Sequence, residues 1–245
     1  MPKNINSASR LFKILEQAQL HGKNKTALEV WAEILDVSEK HSHRRVVAVG
    51  ELVHAMHREL EHATAELATG NFSKNLYERA FSQIEHALSP MLFPNSWDHV
   101  KQYLTPEVLT ALAFCTEILP DEEAQISAEE ISSIRIKVEE LRTSLNDIDM
   151  PLRLRSLIQH HIKLIENALA EYPVVGAKAL REAARTALGE MIEAKDEIAV
   201  AKNSSAVATL GSVWKTVNQA ADVALKAEKI AQLGQRAWDT LNGIL

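Results

Sequence analysis

Apolar positions recur at alternating spacings of three and four along most of this chain, the period that places them on one face of an α-helix. Val46, Val49, Val53, Met56, Leu60, Ala63 and Leu67 keep that step without a break and predict a helix over residues 44–67 that packs lengthwise on a neighbour. Leu11, Ile14, Leu15 and Ala18 mark a first helix over 9–20, ended by Gly22 just past its last turn. Thr26 with Glu29 is a capping-box pair that opens the second. A fourth helix, over 74–88, runs into SPMLFPNSWDH, whose prolines interrupt the period. Its bulky apolar residues predict a loop folded down onto the core.

Thr105 and Pro106 stand as N-cap and first residue of the next helix, a position that proline tolerates because its missing N–H would be unpaired there anyway. That helix ends near Pro120. The polar, acidic LPDEEAQIS follows and reads as a domain boundary, with Ser127 and Glu130 as a further capping box. From 121 to 149 there are nine acids against three bases, the pattern of a solvated helix and linker. Pro151 opens PLRLRSLIQHHIKLIENALAEY, and YPVVG separates it from AKALREAARTALGEMIEAKDEIAV.

Residues 204–245 keep the 3,4 step throughout, with a stripe rich in Ala and Gly that lets another helix approach closely. Leu210, Val213, Trp214, Val217, Ala220, Ala224, Ala227, Ala231, Gly234 and Trp238 form this candidate interaction surface, internal or external. The expectation is an all-α multi-helix bundle of about eight to ten helices with a long C-terminal helix or helical hairpin. Its expected parts are an N-terminal bundle over 1–120, an acidic linker over 121–127, a middle helical region over 128–202 and a close-packing segment over 203–245.

Composition agrees: 8 glycines and 7 prolines in 245 residues leave few turns, and Ala, Leu, Glu and Lys lose little freedom in helices. The net charge of −6 argues against indiscriminate nucleic-acid binding, which rests on clustered Lys and Arg. The single cysteine, Cys115, lies in the apolar run VLTALAFCTEIL and reads as a small buried hydrophobe. The N-terminal stretch is polar and helix-periodic instead of carrying the apolar run of an export signal, so the expected location is the cytoplasm. Lys215, Asp222, Lys226, Glu228, Lys229, Arg236 and Asp239 interrupt the C-terminal stripe, which argues against a membrane span. Membrane action through 204–245 after a conformational change is kept as an alternative.

The densest titratable stretch is GELVHAMHRELEHATAEL, residues 50–67. It contains two Glu-x-x-His pairs, Glu51 with His54 and Glu59 with His62, a motif that carboxylate-bridged metal proteins place on separate helices facing one core. Here both lie on one helix and both lie away from the apolar seam, so a wet helix face is expected, with no metal and no cofactor. The alternative metal set is His54, His57 and Glu61, within about 60° on one flank, with a further ligand from another helix such as His86 or His99. The cationic run KHSHRR, 40–45, at a helix N-terminus reads as a hydrated loop.

Helical ribonucleases of the higher-eukaryote-and-prokaryote nucleotide-binding class carry Arg, four to six residues, then His. Arg155 with His161 resembles that motif best here and implies, as an alternative, an RNase whose imidazole serves as acid or base and whose guanidinium stabilises phosphate. Twelve Arg and ten His predict about one and a half such pairs by chance, against the four present.

Residues 138–190 resemble a helical segment of uncharacterised bacterial proteins through His161, Ile165, Glu166, Tyr172, Gly176, Gly189 and Glu190. The resemblance implies a bacterial origin and a phage-defence or mobile-element setting, and transfers no activity. The functional expectation is a non-enzymatic protein acting through a protein partner or self-association.

Overall fold

The computed structural model describes residues 4–22, 24–146, 150–201 and 204–225. Eleven α-helices and no strand are found among them, and the chain divides into two compact units. Unit 1 is Met1–Glu122 with Pro173–Val175, and unit 2 is Glu123–Tyr172 with Gly176–Leu245. The segments expected over 128–202 and 203–245 therefore fall in one unit. Ala227, Ala231, Gly234 and Trp238 of the expected stripe lie outside the described residues.

Unit 1 holds α1 (Ser7–Leu20), α2 (Ala27–Ile34), α3 (Ser42–Thr69), α4 (Glu78–Ala87), α5 (Trp97–Lys101) and α6 (Pro106–Ile118). Asn6 caps α1 reciprocally with Ser9. At α2 the Thr26 hydroxyl accepts the Glu29 N–H at 3.3 Å while Glu29 accepts the Thr26 N–H at 2.8 Å. That backbone bond, with the Thr26 hydroxyl, holds the Glu29 carboxyl below its ordinary range. Thr26→Ala removes the hydroxyl that accepts the Glu29 N–H and keeps the backbone bond to the Glu29 carboxylate; it is expected to cost unit 1 about 1 kcal/mol, measured by denaturant unfolding.

The proline-rich loop does fold down. The Ala27 N–H donates to the Asn95 carbonyl and the Trp97 N–H to the Lys25 carbonyl, hooking the loop onto the start of α2. Trp97 then meets Trp31 edge to face at a centroid distance of 5.3 Å, both rings fully buried. Two details differ from the sequence expectation. The 74–88 segment breaks at Tyr77 into a short 3₁₀ turn and α4, and the loop contains α5 as a helix of its own. With α10 below, such short pieces make up the eleven α-helices among the described residues, and the all-α multi-helix fold is as expected.

The buried face of α3 is wider than its seam. Leu52, Ala55 and Glu59 join Val49, Val53, Met56, Leu60, Ala63 and Leu67 inside, while Val46 is exposed. The helix packs on both α1 and α2, so its apolar arc exceeds one coiled-coil stripe. This corrects the expectation that both Glu-x-x-His pairs face water: Glu59 is buried and pairs with Arg10 of α1. Arg10 also donates to Glu122 Oε2 at 2.9 Å, and Glu122 accepts the Ser7 N–H at 3.0 Å. Burial alone would lower the Arg10 pKa, but Glu59 and Glu122 outweigh it and raise it. This ion cluster ties α1, α3 and the 119–122 segment together.

Unit 2 holds α7 (Ala128–Ser144), most of α8 (Leu152–Val175), α9 (Ala177–Glu193), α10 (Lys195–Val200) and α11 (Ser205–Ala224). The predicted capping box at Ser127 and Glu130 is present. YPVVG is not a separator, because α8 runs through Pro173 to Val175 and stops only at Gly176. Pro173 lies inside the helix near its end, where its missing N–H removes one i→i−4 bond, that to the Leu169 carbonyl, without stopping the helix. Gly176 then takes φ 77°, ψ −159°, a conformation that essentially only glycine adopts. The single helix expected over 177–200 breaks at Ala194 into α9 and α10.

Glu123 completes the turn into α9. Its buried carboxylate accepts the Ala177 N–H at 2.6 Å, capping α9 from 54 residues away at the end where the helix dipole favours negative charge. A Cβ on Gly176 would stand 2.1 Å from Glu123 Oε1. Glu122 and Glu123 thus depart from the solvated character expected of the acidic stretch, since each has buried partners within its own unit.

Candidate functional site

The most concentrated chemistry among the described residues lies in unit 2, where one carboxylate meets two imidazoles and an indole. His160 and His161 are successive on α8 and point about 100° apart. Glu190 of α9 lies across from both: His160 Nε2 is 3.0 Å from Glu190 Oε1, and His161 Nε2 is 3.1 Å from Glu190 Oε2. On the other side Trp214 of α11 donates its Nε1–H to His161 Nδ1 at 2.9 Å, with the two rings edge to face. His160 is half-exposed, whereas His161 has no exposed surface.

The indole N–H is a donor only, so His161 Nδ1 must be the acceptor and the imidazole proton must sit on Nε2. That proton faces Glu190 Oε2, yet the pair lacks hydrogen-bond alignment and both atoms are buried. The distance marks an ionic neighbourhood; the poor angle means it does not act as a full hydrogen bond. Burial pushes the His161 pKa down to about 4, against the opposing pull of the Glu190 carboxylate and with further lowering from His160. His161 is therefore a neutral, fixed tautomer near pH 7.

That geometry bears on the ribonuclease alternative. The Arg155 guanidinium donates to the Leu145 carbonyl at 2.9 Å, whereas His161 meets Glu190 and Trp214 in the interior. Six residues apart on one helix, Arg155 and His161 lie about 120° apart around its axis. An imidazole without exposed surface cannot reach an RNA phosphate in this conformation.

The metal alternative is not assembled either. His54 and Glu61 are exposed on α3, and His57 Nε2 lies 3.3 Å from the Leu88 carbonyl. His86 stacks on Tyr103 instead. Among the described residues no group of three His, Cys, Asp or Glu is placed to hold a metal ion. At the start of α3, Arg45 Nε donates to the Glu39 carbonyl at 2.7 Å, and the Glu39 carboxylate accepts the His41 backbone N–H at 3.1 Å. Cys115 is buried, and burial pushes its thiol up to about 11.

The expected interaction stripe is internal over its described length. Leu210, Val213, Trp214, Val217, Ala220 and Ala224 are buried, and α11 packs on α7 and α9. Small residues allow that close approach, and Arg181 with Asp222 and Lys137 with Ser212 pin the helix at its sides. No described helix is long and apolar enough to cross a membrane.

An open groove with exposed apolar lining lies on α6 of unit 1. The inner face of that helix, Val108, Leu112 and Cys115, is buried against α1 and α4. Its outer face is mixed: Pro106, Ala111 and Phe114, with Glu107 and Thr110, line a groove of about 530 Å³ that Leu76 completes. Leu76 and Phe114 are 48% and 49% exposed, so half of each apolar side chain meets water. The sequence reading missed this face because VLTALAFCTEIL is apolar nearly all round, which normally means burial on both sides.

No family model, no curated protein and no solved structure matches the chain.

Proposed function

We propose that this protein acts by association and not by chemistry, docking through the Leu76–Phe114 groove of unit 1 with a second copy of the chain as its occupant, in the bacterial cytoplasm. The observation that carries the reading is the outer side of α6, where Phe114 stands half-exposed beside Leu76 and Pro106 in an open groove. A phenylalanine so flanked has the composition of an interface anchor, and a partner seated on the groove would remove its apolar surface from water. A two-fold pair lays the same patch on itself, so one apolar groove suffices for closure. A bacterial defence or mobile-element setting rests on the likeness of residues 138–190 alone.

The test is sedimentation velocity of the full chain and of Leu76→Glu/Phe114→Glu over a micromolar range. Both positions are half-exposed, so the variant is expected to keep its far-UV spectrum. Dimerisation is expected to weaken about 100-fold or more, the equivalent of roughly 3 kcal/mol of lost apolar burial and added charge. A wild-type monomer throughout, or a dimer indifferent to the double change, contradicts the reading.

A further inference from the structure

We infer that α11 is a latched helix, held to α8 by the Trp214–His161 hydrogen bond and released when His161 takes up a proton. The inference rests on unit 2 alone and is independent of the α6 groove.

The latch follows from donor and acceptor counting. The Trp214 indole presents one N–H and no acceptor, and it points at His161 Nδ1. A protonated imidazole carries N–H on both nitrogens, so it sets two donors against each other at Trp214. One of them must leave. The charged ring would also sit in a site with no exposed surface, where an unhydrated cation is costly. Among the described residues Glu190 is the carboxylate facing His161, and it is already shared with His160. Its Oε2, 3.1 Å from Nε2 and poorly aligned with it, opposes the cost of burying the charged ring without outweighing it.

Movement of Trp214 means movement of α11, because the indole is fully buried at the middle of that helix, between Val213 and Val217. Elsewhere α11 is fastened by its packing on α7 and α9, by Lys137 of α7 on Ser212, by Arg181 of α9 on Asp222 and by the Ala124 N–H on the Ala224 carbonyl. These polar ties lie at its flanks and its end, and none meets the ring. Release uncovers the Ala206, Leu210, Val213, Val217 and Ala220 face, the small-residue stripe suited to close helix packing. Closed, the stripe belongs to the core; open, it is an apolar helix face.

The direction with pH follows from where the proton is bound. Released His161 titrates at the ordinary 6.5, and the latched ring at about 4. The latched form thus has its full advantage above pH 6.5 and loses it as pH falls toward 4. On those values opening rises about 20-fold by pH 5 and about 120-fold by pH 4 relative to pH 7.

The experiment is amide hydrogen exchange of the full chain between pH 7.5 and 4, corrected for intrinsic rates, with the imidazole nitrogens followed by NMR. At neutral pH the His161 signals are expected to show a bare Nδ1 and a protonated Nε2. The gain in α11 exchange is expected to track the His161 titration while α3 and α6 stay protected. In His161→Asn, whose Oδ1 stands where Nδ1 does and accepts the same indole N–H without titrating, the acid-dependent gain is expected to vanish. A protonated Nδ1 at neutral pH, a His161 titration unaccompanied by α11 exchange, or the same acid response in His161→Asn overturns the inference. The first two outcomes are read on the unaltered protein and hold even if the variant does not fold.

Discussion

Gly176→Ala is expected to cost unit 2 about 4 kcal/mol or more, a large share of the stability of an ordinary domain. Two effects add. At φ 77°, ψ −159° a side chain pays on the order of 1 to 3 kcal/mol in backbone strain. The new methyl would also stand 2.1 Å from Glu123 Oε1 and 2.6 Å from its Cδ, with the carboxylate unable to retreat without giving up the Ala177 N–H. Overpacking of that kind costs roughly another 1 to 3 kcal/mol. Denaturant unfolding read by hydrogen exchange in α9 measures the loss unit by unit. Gly176→Ala/Glu123→Ala removes the clash and keeps the strain, so it is expected to be less damaging than the sum of the single changes. A cost for Gly176→Ala below about 1 kcal/mol would contradict this account of the turn.

Arg10→Met is the second large effect, in unit 1. It leaves Glu59, 5% exposed, without its cation and deprives Glu122 of a 2.9 Å partner. Uncompensated buried charge of this kind costs about 3 to 5 kcal/mol, because the carboxylate must either stay ionised in a poor solvent or bind a proton. Replacing both members of a buried pair by apolar residues is much milder. Arg10→Met/Glu59→Met is therefore expected to recover a substantial part of the loss, and a double-mutant cycle by urea unfolding reads the coupling. Independent, additive costs at the two positions would show that Arg10 contributes through packing of its stem and not through its charge.

Local chemistry was legible in the sequence and remote chemistry was not. The caps at Thr26, Thr105 and Ser127 occur as expected because N-cap bonds span only two or three residues. The periodicity of α3 located its core side, though not its width, since a second helix packed beside it enlarges the buried arc and draws in Glu59. Pro173 and Gly176 punctuate the same turn, and the break falls at the glycine, where the backbone conformation and not the missing N–H sets the limit. The partners of Glu122 and Glu123 lie 112 and 54 residues away, and nothing in an acidic run tells which of its members will be buried.

The candidate site divides the same way. Trp214 stood out on an apolar stripe and His161 beside His160, but only the fold makes them donor and acceptor to each other. Most of the residues named for the expected likeness of 138–190 make contacts within unit 2. Glu166 pairs with Arg142, Tyr172 Oη accepts the Ile126 N–H, Gly176 makes room for Glu123, and Glu190 faces both histidines. The outer face of α6 was invisible for the opposite reason: an apolar run does not say how many of its sides will be covered.

Native mass spectrometry of the full-length protein, sprayed from low-micromolar solution under conditions that keep subunits and bound ions, tests the central claim most directly. Association through α6 predicts a dimer mass equal to twice the chain, falling to the single chain in Leu76→Glu/Phe114→Glu. A monomer at every concentration, carrying a stoichiometric metal ion or small molecule, would contradict it and point back to chemistry.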